Sequence, residues 1–175
     1  MTAGLELESM ALEMPVVEGH PNRRSFRGVL TTVDVASDRA PSGARGHRVM
    51  LTASATEAAL PSLLGMAVDY TPELDGHDAR RKVGIITAAE LSLRRGGSGQ
   101  QLDVSGYLFE KDFPEIVAEI ESKGRAALGM SYEIADVRVV VAEAAIWVIR
   151  EFTFTGAAVL QRSKAAYGTT CIELV

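Results

Sequence analysis

The sequence predicts a mainly β fold with peripheral helices, an α+β arrangement curled into a closed or nearly closed barrel of about seven strands. Three observations lead there. Short runs that alternate apolar and polar residues recur along the chain, separated by Gly, Pro, Asp and Ser clusters. Only two or three segments carry the apolar spacing of a helix, too few for a bundle. The βαβαβ rhythm of a parallel sheet is absent, as is any internal repeat or heptad pattern.

Taken in order, residues 1–25 scatter Glu6, Glu8, Glu13 and Glu18 among isolated Leu, Met and Val. This reads as a flexible tail, or a segment ordered only by a partner. Phe26 to Val35 alternates through Val29, Thr31 and Val33 and predicts a first strand. A loop, Pro41-Ser42-Gly43-Ala44-Arg45-Gly46, separates it from a second strand at His47 to Ala53. Ser54 and Glu57 have the spacing of a capping box, which opens a helix running to about Leu64 and restarting at Pro61. Gly65 to Asp78 reads as a polar, turn-rich connection.

Strands are predicted at Val83 to Ala89, with Leu91 as an extension, and at Leu102 to Phe109, joined by the Gly-rich stretch at 94–99. Phe113, Ile116, Val117 and Ile120 then recur at helical spacing, with Asp112 as N-cap, Glu115 at N3 and Gly124 as the stop. Beyond Ser131 come apolar runs at Val137 to Val141, Ile146 to Thr155, Ala157 to Leu160 and Thr169 to Leu174. Residues 26–175 therefore read as one domain.

Composition excludes several classes of function. At 175 residues the chain suffices for one domain with a full core, and its 47% apolar and 23% charged residues are ordinary for a soluble protein. A net charge of −5 with only short basic clusters, Arg23-Arg24 and Arg80-Arg81-Lys82, argues against a nucleic-acid surface. Cys171 stands alone, so no intrachain disulfide forms and a reducing, cytosolic setting is expected. No apolar run reaches membrane-spanning length and the first residues lack the pattern of a signal peptide, so no membrane role is expected.

The chemistry centres on two short segments. Asp75-Gly76-His77-Asp78 puts a histidine in an acidic turn before a strand, and Gly129-Met130-Ser131-Tyr132-Glu133 puts a serine two residues after a glycine, where a helix gives way to a strand. A hydroxyl becomes a nucleophile at neutral pH when a base takes its proton, and imidazole is the usual base. Glycine beside a nucleophile lets backbone approach a substrate closely, although Glu133 stands where the Gly-x-Ser-x-Gly elbow would need a second glycine. Of the other histidines, His20 falls in the tail and His47 opens a strand. Candidates to orient the imidazole are Glu151, Asp136, Glu133 and Asp78, of which Glu151 stands out by lying inside an apolar strand. Asp75, His77 and Asp78 lack a second histidine cluster to complete a metal site, and Cys171 reads as an inert thiol in an apolar strand. The glycines at 96–99 lack the Lys and Ser/Thr of a phosphate loop, so neither metal nor cofactor is expected.

From about Leu60 onward the ordered set of features resembles the phage prohead proteases, the serine enzymes that mature viral capsids. The set is His77 followed by Val83-Gly84-Ile85, a strand ending in Gly106-Tyr107-Leu108-Phe109, an amphipathic helix, Gly129-Met130-Ser131-Tyr132, and a strand reading Arg150-Glu151-Phe152-Thr153-Phe154 before Gly156-Ala157-Ala158. The resemblance covers about two thirds of the chain. It implies the barrel shared with herpesvirus maturation proteases, Ser131 as nucleophile and His77 as general base. No histidine follows Ser131, so an acid must complete the set, and Glu151 is the choice. Arg162 is the nearest counterpart of the arginine donors that these enzymes place near the oxyanion. The implied substrates are scaffold and major capsid proteins in a procapsid assembling in the bacterial cytoplasm. Residues 1–25 would be a self-cleaved propeptide, and a homo-oligomer is compatible with the resemblance. The rival readings are a catalytically silent barrel that serves capsid assembly, and an unrelated small-ligand-binding barrel.

Overall fold

The computed structural model describes residues 9–94 and 97–175. Among these residues nine strands and two helices follow one another as β1 (Ser9–Ala11), β2 (Arg24–Val33), β3 (Arg48–Leu51), α1 (Ala53–Leu63), β4 (Ala67–Asp69), β5 (Lys82–Leu93), β6 (Gln100–Leu108), α2 (Pro114–Ala127), β7 (Leu128–Val139), β8 (Ile146–Gln161) and β9 (Cys171–Leu174). The fold is mainly β, with two helices set against a single curled sheet. Its hydrogen-bonded order is β3-β8-β4-β5-β6-β2-β9, with β7 on the other edge of β8 and β1 on β5.

The curl makes a half-barrel. At 16 residues β8 is long enough to take β3 on its first four residues and β4 near its end, both parallel, while β7 runs antiparallel along its opposite edge. β7 and β9 form the two margins of the curl and approach each other, but no ladder joins them among the described residues. Phe26, Leu30, Leu102, Leu108, Met130 and Phe154 meet in the concave interior, each almost wholly removed from water. Burying a side chain of that kind is worth about 1.5–3 kcal/mol.

Both helices differ from the sequence expectation at their starts. Thr52, not Ser54, caps α1, its hydroxyl accepting from the Ala55 N–H at 3.3 Å. A threonine one residue past a strand already has the extended backbone that an N-cap needs (φ −77°, ψ 148°). The helix runs through Pro61 and not from it. In α2 the N-cap is Phe113, without a side-chain cap, and Pro114 takes the first helical position, where its missing N–H costs nothing. Asp112, the expected N-cap, lies one residue before Phe113 and accepts from the Asn22 side chain, and the Glu115 carboxylate accepts from the Tyr70 hydroxyl. Gly124 breaks the helix as expected, at φ 67° and ψ 177°.

Two further differences concern strands. The chain between Gly65 and Asp78 contains β4, where a polar connection was expected. Of the presumed tail, residues 1–8 lie outside the described residues, whereas Ser9–Ala11 pair with Glu90–Ala88 of β5. β1 fills the stretch of that edge that β4 leaves open, and the Leu12 N–H donates to the Thr87 carbonyl at 2.7 Å. No helix among the described residues is long and apolar enough to cross a membrane.

Candidate active site

Alternation along β7 decides which way the serine points. Leu128 and Met130 are buried, and the Tyr132 ring stands edge-on to Phe154 at 6.2 Å, so the even-numbered side chains face the interior. Ser131 and Glu133 consequently share the opposite face. A one-residue slip would bury them and expose Met130, a cost that holds the register. Gly129 is required by a close approach: a Cβ there would stand 2.5 Å from the Thr170 hydroxyl.

The register then lines up three strands. Ala158 of β8 pairs with Ser131 on one side and with Asp69 of β4 on the other. Neighbouring strands are about 4.8 Å apart, so Asp69 and Ser131 sit in one row across the sheet, about 10 Å apart at their Cα atoms. The middle residue carries only a methyl group, which leaves space above it. The chain after β4 returns through a turn that places His77 between the two. Its Nε2 lies 3.1 Å from the Ser131 hydroxyl, and its Nδ1 lies 3.4 Å from Asp69 Oδ1 and 3.5 Å from Glu133 Oε1.

Each acid is held by a distinct local device. Asp69 is 0% exposed at the end of β4, where a bulge against β5 sets it opposite Lys82. Bulges re-aim side chains in this way. The Lys82 ammonium lies 3.0 Å from Oδ2, and the Asp78 N–H donates to Oδ1 at 3.3 Å. Burial alone would push the Asp69 carboxyl up, but the neighbouring His77 and Lys82 bring it below its usual value. Glu133 is 40% exposed and reaches the ring because its cross-strand partner is Gly156. A Cβ on Gly156 would stand 2.8 Å from Glu133 Oε2.

The pair expected from the sequence, Ser131 and His77, is thus brought together, and the third expected residue is not. Glu151 lies further along β8 on the surface, 61% exposed, and pairs with Arg138 at 3.1 Å. Its strand position turns it to solvent, so the carboxylates facing His77 are Asp69 and Glu133. Asp69 was missed because a three-residue strand carries too little periodicity to register. Its one sequence signal is an aspartate closing the apolar run Met66-Ala67-Val68. Arg162, the expected oxyanion donor, directs its Nε to the Gly168 carbonyl.

The other candidates fall elsewhere. Asp78 faces Arg80 and Arg81, Asp75 accepts from Thr71, and Asp136 occupies an exposed position in β7 at φ 54°. His20 accepts from the Asn22 N–H, His47 bonds the Ala144 carbonyl and stacks on Trp147 at 4.4 Å, and Cys171 is buried in β9.

A cleft of about 760 Å³ opens beside the pair, with Asp75, Gly76, His77, Ser131 and Glu133 at one end. It continues past Ile134, Val137 and Trp147 on one wall and the Ala40–Ala44 loop on the other. The Tyr167 hydroxyl pins that loop's base, its single proton shared between the carbonyls of Val49 at 3.0 Å and Val35 at 3.2 Å. A hydroxyl 3.1 Å from an imidazole nitrogen, with acids behind the far nitrogen, can lose its proton as it attacks an electrophile held in the cleft. No family model, curated protein or solved structure matches the chain.

Proposed function

We propose that the chain is a serine endopeptidase that processes scaffold and capsid proteins during phage procapsid maturation in the bacterial cytoplasm. The observation that carries the hydrolase part is the 3.1 Å contact between His77 Nε2 and Ser131 Oγ, with two carboxylates behind Nδ1. The capsid part rests on the ordered set of motifs shared with prohead proteases, and includes the closing of the half-barrel into their complete barrel.

Ser131 attacks the peptide carbonyl while His77 takes its proton and returns it to the leaving amine. Asp69 holds the ring by Nδ1 and stabilises its cation, and Glu133 adds a second negative charge at the mouth. The separations of 3.4 and 3.5 Å tighten when substrate fills the cleft, as such contacts do between free and bound enzymes. An acyl-enzyme on Ser131 then yields to water by the same groups. Residues 1–25 fit a substrate of the enzyme's own, since an exposed apolar stretch at Val16 and Val17 is open to a second copy.

A fluorophosphonate probe tests the assignment. It is expected to label Ser131 in the wild type, and neither Ser131→Ala nor His77→Ala to a comparable extent. Ser131→Ala is also expected to abolish cleavage of a co-expressed scaffold protein. Normal scaffold processing by that variant refutes the nucleophile. An unlabelled wild type leaves the silent assembly barrel as the better reading.

A further inference from the structure

The ring nitrogen that faces away from Ser131 is left unsatisfied. His77 Nδ1 is buried and has no hydrogen-bond partner among the described residues. Its neighbours at 3.4 and 3.5 Å stand beyond the 2.7–3.2 Å range of an N–H···O bond. Those separations match a different geometry. Around a four-coordinate zinc ion, ligand atoms about 2.0–2.1 Å from the metal lie about 3.3 Å from one another. Asp69, His77 and Glu133 each offer one ligand atom, and the three lie within 4.8 Å of one another.

The surroundings suit a cation. Two carboxylates bring two negative charges, and the Lys82 ammonium returns one positive charge through Asp69 Oδ2, leaving the cluster net negative. Among the described residues Oδ1 accepts only the Asp78 N–H, and a carboxylate oxygen has lone pairs for a second partner. Glu133 Oε1 has His77 as its only polar neighbour among the described residues. Since His77 and Glu133 line the cleft, the site is reached from solvent.

We propose that a divalent cation with zinc's size and ligand preference binds between His77 Nδ1, Asp69 and Glu133 and switches the hydrolase off. The proposal rests on Ser131 and His77 acting as nucleophile and base. The switch works through the tautomer. In the active ring Nδ1 carries the proton and the Nε2 lone pair accepts the one from Ser131. A metal on Nδ1 takes that nitrogen's lone pair, so the neutral ring keeps its proton on Nε2 and can only donate toward the serine. The acids that orient the base are then the ones that hold its inhibitor.

The test pairs isothermal titration calorimetry of the full chain with zinc chloride and fluorophosphonate labelling of Ser131. One zinc per chain is expected, with labelling falling about ten-fold or more as the site fills and returning with EDTA. Glu133→Gln is expected to weaken zinc binding by calorimetry about ten-fold or more, whatever its effect on labelling. Zinc that fails to bind, that leaves labelling of a labelled protein unchanged, or that binds Glu133→Gln as tightly as wild type overturns the switch alone. A metal-free protein that takes no label overturns the hydrolase reading, and the switch with it.

Discussion

Three carboxylates compete for one role in this protein, and their surroundings separate them. Asp69 is fully buried, fixed by Lys82, and level with Ser131 across the sheet. Glu133 reaches the same nitrogen from a partly solvated position, and Glu151 is spent on an exposed pair with Arg138. Water screens what it touches, so their contributions to a histidine cation should fall in that order. On the proposed mechanism Asp69→Asn is expected to lower kcat/KM by about 10³–10⁴-fold, the scale on which a triad loses its orienting acid. Glu133→Gln should cost about ten-fold, and Glu151→Gln should leave turnover unchanged. Peptidase assays on the three folded variants check this ranking, and a large loss with Glu151→Gln would overturn it.

At the scale of elements, the helix that precedes β4 is capped two residues before its capping-box motif. Ser54 and Glu57 have the spacing of a capping box, yet the chain leaves β3 at Leu51 and turns at once, so Thr52 is the first residue free to cap. Thr52→Ala should destabilise the protein by about 1 kcal/mol, and Ser54→Ala by much less. Urea unfolding midpoints of the two variants distinguish these outcomes. β4 shows a related limit of local patterns. Three residues cannot display a period, and what makes Ala67–Asp69 a strand is the pair of ready edges on β5 and β8.

At the scale of the whole molecule, the buried Asp69 links stability to pH. Its folded pKa lies below the ordinary 3.8, because the neighbouring His77 and Lys82 outweigh the upward push of burial. A carboxyl lowered on folding stabilises the protein fully above its unfolded value, and that contribution is lost as pH falls through the folded value. Between pH 6 and strongly acidic pH, the wild type should therefore lose more melting temperature than Asp69→Asn. Thermal unfolding followed by circular dichroism across that range checks it, and parallel curves would contradict it. The half-barrel itself follows from the length of β8, which carries β7 on one edge and two shorter strands on the other.

What the sequence by itself determined is local. Alternation marked most strands, the helical spacing and Gly124 marked α2, and the serine two residues past a glycine and the acid-flanked histidine marked the pair that meets at 3.1 Å. Each of those signals is written within about ten residues, the range over which backbone preference and side-chain period act. The tertiary structure decided the partner of the imidazole, because Asp69, Ala158 and Ser131 become neighbours only through pairing between strands far apart in the chain. It also turned Glu151 outward and engaged Arg162 with Gly168, choices made by face and register and not by residue type. A carboxylate's role depends on what lies within about 4 Å of it, and only the folded sheet sets that distance.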